Sequence, residues 1–369
     1  MNLLYLANIR FPTEKAHGAQ IAKACEAFAD AGVKVELVVP RRKTPIIEDP
    51  FTYYAIERNF IIRTLFTLDT VRWGGRIGFF IQACSFAIPA ALYARKKSRD
   101  IIYSRDEIVA ALAIIAGQRN VMWESHDGAW NPIARFVAHR AAGMVVVTDG
   151  AKDFYVSHGV PVEKIVVIQN GIDVNSFKKH ESKDKARARL GIPKDAFVAL
   201  YVGALDGWKG TDTLFEASHF VEKVTIVIIG GDNERVKILK KQYPRVLFLG
   251  QRPYRELPDN LVVADVCVLP NTAHDSVSIT FTCPMKLLAY MAAGKPIVAS
   301  DLPSVRELTG ENTALLVPPD NPKALAEGII QLCQHPNLAE KFARAAQKKA
   351  YLFTWSHRTH RLIDWISER

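Results

Sequence analysis

Apolar and polar positions along the chain switch repeatedly between two rhythms. Short uninterrupted apolar runs, suited to strands covered on both faces, alternate with stretches whose apolar positions recur at helical spacing. Residues 2–8 read as a strand, 9–17 as a loop, 19–31 as an amphipathic helix closed by Gly32, and 33–39 as a second strand. After a polar excursion over 40–57, strands at 100–104 and 120–123 flank a helix at 107–116. Helices at 132–141 and 149–158 then alternate with strands at 143–148 and 165–168. The stretch 177–191 is dense in Lys and Arg, lacks apolar periodicity, and reads as an interdomain linker. Beyond it the alternation restarts, with strands at 197–202, 224–229, 246–249 and 266–269 and helices at 211–219, 234–242 and 257–263. Helices at 322–335, 338–351 and 355–367 end the chain. Such alternation predicts an α/β protein of two Rossmann-like, doubly wound parallel-sheet domains facing a cleft. The expected division is 1–170 and 171–354, with the last helix, about 355–369, packing back on the first domain.

The densest local signal is 278–308, SITFTCPMKLLAYMAAGKPIVASDLPSVREL. A loop at 278–284 leads through Pro284 into a helix at 285–293, with Met285, Leu288 and Met291–Ala292 on one face. Gly294 is expected as its left-handed cap, Pro296 stops it, and 296–300 forms a buried strand. If the loop faces a cleft, amides around Pro284 to Leu287, aided by Lys286, make an anion site. An ordinary αβ unit of a parallel sheet fits the same spacing.

The composition is that of an ordinary folded protein: 369 residues, 49% hydrophobic and 23% charged. Five scattered cysteines without a CxxC argue against a disulfide framework or zinc site, and for a reducing, cytoplasmic compartment. The opening MNLLYLANIR reads as a first strand and not as a signal peptide. The net charge of +10 is uneven. Between residues 58 and 99, Arg58, Arg63, Arg72, Arg76, Arg95, Lys96, Lys97 and Arg99 face Asp69 alone, interleaved with Phe60, Phe66, Trp73, Phe79, Phe80 and Phe86. That mixture suits an anionic membrane surface. The uncharged run 77–94 has three readings: a membrane span interrupted by Gln82, Ser85 and Pro89, a helix lying on lipid, or a core helix. With no RNA-recognition or helix-turn-helix signature, nucleic acid is not an expected partner.

Candidate chemistry collects at expected strand ends. Gly18 stands at the first strand-to-helix turn, where backbone can approach a phosphate or sugar. No GxGxxG accompanies it, which disfavours a nicotinamide cofactor. His126 and Asp127 follow the strand at 120–123. In the second half, GALDGWKG places Lys209 between glycines before a helix, suited to a diphosphate. Gly203, Gly230, Gly250 and Pro270 end successive strands.

Taken together, YVGALDGWKG, IIGGD, FLGQRPYRELP, ADVCVLPN and CPMKLLAYMAAGKPIVASD resemble the donor domain of retaining GT-B glycosyltransferases of family four, the glycosyl transferases of group 1. HGAQIAKACEAFADAG, IYSRD, WESHD and VIQNGID resemble the matching acceptor domain. The resemblance is weakest over 41–97. It implies transfer of a sugar from a nucleotide diphosphate sugar, UDP-linked with GDP and ADP as alternatives, without metal or other cofactor. No DxD pair stands on a loop after a strand, in keeping with that.

Carried onto this chain, the resemblance assigns Lys209 to the donor diphosphate and its leaving-group charge. It assigns His126 to the transferred sugar, and the Gly18 turn to diphosphate or sugar. Amides of Cys283, Pro284, Met285, Lys286 and Leu287 would hold phosphate or sugar hydroxyls, with Gly203 beside them and Arg252 and Pro253 by the base. The basic, aromatic 58–99 adds a lipid-linked or membrane-proximal sugar acceptor and a location peripheral to the inner face of the cell membrane. Three positions depart from the family: Ala204 replaces an Arg, Phe281 a Glu, and Ala289 the Glu that bonds the nucleotide ribose. Losing that last carboxylate is expected to cost about 1.5–3 kcal/mol of donor binding, roughly one to two decades in affinity. An engineered or natural weakening, or a different donor, would account for it. A silent nucleotide-sugar-binding module and a GT-B epimerase are the alternatives to a transferase.

Overall fold

A computed structural model describes residues 1–96, 100–205 and 207–368, with the backbone alone at 72 and 73. Lys97, Arg99 and Asp206, and the side chains of Arg72 and Trp73, therefore lie outside the described residues. The chain divides into two units, Met1–Gln169 with Trp355–Arg369, and Asn170–Thr354.

The first unit holds seven strands: β1 (Asn2–Leu6), β2 (Lys34–Pro40), β3 (Ile61–Leu65), β4 (Ile101–Ser104), β5 (Val121–Ser125), β6 (Gly143–Val146) and β7 (Ile165–Val167). They form one sheet in the order β3-β2-β1-β4-β5-β6-β7, all parallel. Every residue of β4, β5 and β6 is buried, as expected of strands covered on both faces. The second unit holds β8 (Phe197–Val202), β9 (Val224–Ile229), β10 (Leu247–Phe248), β11 (Val266–Leu269), β12 (Ile297–Ser300) and β13 (Leu315–Val317). Their order is β10-β9-β8-β11-β12-β13, again parallel. Both sheets are thus Rossmann-like and doubly wound.

The helix Trp355–Ser367 completes the first unit. Arg361 Nη2 donates to Val167 O at 3.2 Å. A Cβ on Gly143 would lie 2.4 Å from the Trp365 ring, so only glycine lets β6 and this helix meet. At Gly294 (φ +61°) the helix Met285–Ala292 ends in a Schellman motif: Gly294 N–H donates to Met291 O and Lys295 N–H to Tyr290 O, at 3.0 and 3.2 Å.

Several elements depart from the sequence reading. The stretch 177–191 is not a linker. It contains the helix Lys183–Leu190, capped by Ser182, which accepts from Lys185 N, and ended by Gly191 at φ +67°. Its inward face is Ala186, Arg187 and Leu190, so an arginine occupies an apolar position and hides the periodicity. Arg187 is buried there because its guanidinium donates to Asp265 (2.8 Å) and Val263 O (3.0 Å). Part of the expected loop at 278–284 is a turn of π-helix, Val277–Phe281. Edge strand β3, helix Pro303–Thr309 and β13 have no counterpart in the sequence reading. None of the β3 residues is buried, so β3 carries no continuous apolar run; its Arg63 pairs with Glu36 of β2 at 2.7 Å.

Candidate active site

In the first unit the sheet order reverses between β1 and β4, so the loops leaving their carboxyl ends diverge and open a crevice. A cavity of about 410 Å³ occupies it, lined among others by Asn8, His17, Arg105, Asp106, Glu124 and His126. Asp106 caps the helix Glu107–Ile115 by accepting from Val109 N at 2.9 Å and receives Asn8 Nδ2 at 3.2 Å. Burial raises its carboxyl above the usual range. Asn8 is held in turn by Gln82 Nε2 at 2.7 Å.

His126 lies just beyond β5. Its Nε2 meets Glu124 Oε1 at 2.6 Å. Glu124, inside β5, also accepts from Arg358 at 2.8 Å and from the Tyr103 hydroxyl, with Arg105 3.9 Å away. Burial alone would raise the Glu124 carboxyl, but Arg358, Arg105 and the His126 hydrogen bond hold it well below the usual carboxylate range. Burial, with Arg105 second, lowers His126 from 6.5 to about 4, so the ring is neutral at physiological pH. An ionised Glu124 can only accept, so Nε2 carries the proton and Nδ1 is left as a hydrogen-bond acceptor. The acidic partner of His126 is therefore Glu124 and not the adjacent Asp127, whose Oδ1 accepts from Ala129 N at 3.2 Å.

Two further groups in the cavity were not singled out from sequence. His17 is lowered to about 4 by burial, then by Arg105 and Lys15. Arg105 donates to Gln20 Oε1 at 2.9 Å. Both stand in stretches quoted for the resemblance, His17 at the head of HGAQIAKACEAFADAG and Arg105 in IYSRD, without a role being assigned to them; a further signal for Arg105 is its place directly after a strand at a reversal of sheet order.

In the second unit the order reverses between β8 and β11. The loop after β8 carries Gly203 to Gly210 and includes a short 3₁₀ turn, Gly207–Lys209. Gly210 (φ +59°) lies so close to the loop after β11 that a Cβ would sit 2.0 Å from Pro270 O. Thr272 N–H donates to Trp208 O at 3.2 Å, joining the same two loops. Lys209 is thereby placed at the reversal point, its Nζ 4.7 Å from the centre of the Trp208 ring. Gly203, Gly230 and Gly250 lie side by side at the strand ends: Gly203 N–H donates to Ile229 O (2.9 Å) and Gly230 N–H to Gly250 O (2.8 Å). Lys286 reaches this edge. Its Nζ donates to Tyr201 Oη at 2.6 Å, which itself donates to Ala204 O at 2.7 Å, and a Cβ on Gly203 would lie 3.1 Å from the same Nζ.

The remaining predicted site residues are placed less simply. Gly18 is not at a turn, because the first helix begins at Ala16 (Ala16–Asp30); its N–H donates to Lys15 O at 3.0 Å, and Tyr54 and Thr13 fill the space above it. Of the amides from Cys283 to Leu287, Pro284 has none, and Leu287 N–H donates to Pro284 O at 3.0 Å. Pro284 is the cap of the helix and not its first residue, and Cys283 O accepts from Asn170 Nδ2 at 2.9 Å. Arg252 and Pro253 are exposed on the loop after Gly250. Phe281 and Ala289 are both buried, Ala289 three residues beyond Lys286 in the same helix.

Comparison with known proteins bears on the family and the fold. Residues 18–176 match the model of Glycosyltransferase Family 4, and 196–335 that of Glycosyl transferases group 1. D-inositol 3-phosphate glycosyltransferase 1 of Catenulispora acidiphila is 25% identical over 297 residues, 74% of this chain and 68% of that protein. Phosphatidyl-myo-inositol mannosyltransferase of Mycobacterium tuberculosis is 30% identical over 237 residues, 61% and 59%. The putative teichuronic acid biosynthesis glycosyltransferase TuaC of Bacillus subtilis is 31% identical over 166 residues, 45% and 40%. The matched region thus spans 40 to 68% of the length of these relatives. Among solved structures, sucrose-phosphate synthase from Thermosynechococcus elongatus superposes with a TM-score of 0.80 at 20% identity, covering 100% of this chain and 99% of that one. Anabaena Alr3699/HepE in complex with UDP and glucose gives 0.78 at 19%, with coverage of 100% and 99%. Two parallel-sheet units in these orders, matched to such structures, are the GT-B fold. The chain belongs to the family-four, group 1 glycosyltransferases.

Proposed function

We propose that the protein moves a sugar from a nucleotide diphosphate sugar to a lipid-linked or membrane-proximal acceptor, retaining the configuration at the transferred carbon and using no metal. The observation that carries this reading is the strand-end cluster of the second unit: Lys209 on a glycine-bounded turn at the reversal of sheet order, and Lys286 held by Tyr201 beside Gly203. Close backbone approach with fixed positive charge suits a diphosphate. Lys209 stabilises the charge that grows on the leaving diphosphate. His126, neutral and fixed through Nε2, offers Nδ1 to a hydroxyl of the transferred sugar. UDP is the favoured nucleotide, as in the Anabaena complex with UDP and glucose; GDP and ADP are the alternatives.

A thermal-shift panel of UDP-, GDP- and ADP-sugars tests the donor. One nucleotide class is expected to raise the melting temperature, since a ligand at 100 times its Kd adds about 2.7 kcal/mol to the folded state. Transfer with that donor should persist in EDTA and give a product of unchanged anomeric form by NMR. No shift with any donor overturns the reading. A silent binding module is favoured by the buried apolar side chains at Phe281 and Ala289; binding without transfer to any acceptor would decide for it.

The acceptor side rests on the helix Gly75–Arg95. Among the described residues it is the one helix long and apolar enough to span a bilayer, and 44% of its most apolar window is buried. Its inward face is Gln82, Ala83, Phe86, Ala87, Ala90 and Ala94. The outward face presents Ile77, Phe80, Ile81, Ile88 and Leu92, all exposed, with exposed Arg76, Arg95 and Lys96 at the two ends. One face packed and one apolar face open, with cations at the rim, suits a helix lying on anionic lipid and not one crossing it. Phe79 of the same helix lines the His126 cavity, so a lipid-anchored acceptor would arrive beside it. The protein is expected to float with phosphatidylglycerol-rich vesicles and to release in high salt. Phe80→Ser with Ile81→Ser should lose flotation; equal recovery with neutral vesicles would count against the surface.

A further inference from the structure

We propose that Arg358, on the C-terminal helix, is a positioning residue for His126, acting through Glu124. The inference rests on the role proposed above for His126. Glu124 is 3% and Arg358 4% exposed, and they meet at 2.8 Å, with His126 on the same carboxylate oxygen at 2.6 Å. Arg358 Nε also donates to Gln169 O at 3.1 Å, and the guanidinium lies 5.9 Å from the centre of the Trp355 ring, so it spans from the residues after β7 to the Glu124 carboxylate. It comes from the last fifteen residues of the chain, after the second unit has been completed.

The geometry gives Arg358 two effects. It keeps Glu124 ionised inside the sheet, which makes the carboxylate a pure acceptor and fixes the proton on Nε2 of His126. With Arg105 it also puts two cations against one carboxylate, so a protonated His126 would be a third positive group around a single negative one. The charged and titratable groups that face the pair are Arg105 after β4, Tyr103 of β4, Tyr5 of β1 and Arg358 itself. Without Arg358 the Glu124–His126 pair takes up a proton at higher pH. If the proton goes to the imidazole, Nδ1 gains it. If it goes to the carboxyl, the ring turns acceptor at Nε2 and Nδ1 again carries the proton. Either way the acceptor at Nδ1 is lost.

The test is nitrogen-15 NMR of the His126 ring in the full-length protein, assigned with His126→Gln, alongside the pH profile of transfer. In wild type Nδ1 should stay unprotonated down to about pH 4. In Arg358→Met it should gain a proton at a pH about 1 to 3 units higher. The acid limb of kcat/KM should move with it, while the donor KM stays within about threefold. Arg358→Lys, which keeps a charge without the fork, should fall between the two. A double-mutant cycle covers a folding defect. Glu124→Gln removes the group through which Arg358 acts, so, one pH unit below the Nδ1 titration of Arg358→Met, adding Arg358→Met to it should change kcat less than about threefold, although Arg358→Met alone lowers it there by about five- to tenfold. Unaltered Nδ1 titration in a folded Arg358→Met protein, or additive losses in the cycle, would overturn the proposal. The NMR readout needs no turnover, so it stands or falls independently of whether the protein transfers sugar.

Discussion

Lys209→Ala is expected to lower kcat about 10²–10³-fold, the usual consequence of removing one charge aimed at a developing anion. The side chain is half-buried on a turn whose backbone is held by the Thr272 N–H bond to Trp208 O and by the close approach of Gly210 to Pro270 O. Folding stability should therefore change by no more than about 1 kcal/mol, within the range of substitutions away from core packing. The loss should fall mainly on kcat and less on the donor KM, because the ammonium matters most when the diphosphate is leaving. Lys286 provides the contrast. It is held by Tyr201 through a 2.6 Å hydrogen bond and lies 4.1 Å from the ring centre, so Lys286→Met should weaken donor binding with a smaller change in kcat. Steady-state kinetics with the donor found in the thermal-shift panel separates the two. A Lys209→Ala enzyme within threefold of wild-type kcat would remove the basis of the proposed reaction.

Gly230→Ala should damage both the fold and the donor site. Gly230 has φ +126°, a region nearly closed to residues with a Cβ, and that Cβ would lie 2.0 Å from Gly203 O. The obstacle is backbone, so it cannot swing aside as a flexible side chain can. Relief requires the ends of β8 and β9 to separate, breaking the bond Gly203 N–H to Ile229 O and straining that of Gly230 N–H to Gly250 O on the other side of β9. Strain and lost bonds together are expected to cost about 2–4 kcal/mol, or roughly 5–10 °C in Tm for a unit of this size. Donor affinity should fall as well, since Gly203 and Lys286 are displaced together. Gly250→Ala is the control. Its φ is +71°, but a Cβ there meets nothing within 4 Å, so only the conformational term of about 1 kcal/mol remains. Calorimetry on the two variants checks the difference; equal melting temperatures would show that the close approach of Gly230 to Gly203 is not maintained in solution.

Most of the fold was legible because its signals are local. Strands covered on both faces need unbroken apolar runs, and β8, β9 and β11 fall within the limits that their patterns predicted. Helix limits followed from Pro132 at a helix start and Gly294 at a helix end. What escaped were elements whose partners lie far along the chain. Residues 183–190 have no apolar stripe because Arg187 is satisfied by Asp265, 78 residues away. In strand β3, IIRTL, the apolar residues are interrupted by Arg63 and Thr64, and the strand is recognisable only by its pairing with β2.

The candidate site divides in the same way. The sequence by itself determined that Lys209 stands between glycines after a strand, that His126 follows another strand, and that Gly294 ends a helix. Each depends on residues within one or two turns, where propensity and spacing act directly. Only the tertiary structure decided that Glu124, and not Asp127, holds the histidine, that Arg105 and His17 share its cavity, and that Arg358 from the chain's last helix closes the charge cluster. It also moved Gly18 from a turn into a helix packed under Tyr54. The reason is physical: a buried charge survives only where an opposite charge and hydrogen bonds meet it. In a doubly wound sheet those partners come from neighbouring strands and returning helices, which one-dimensional spacing cannot place.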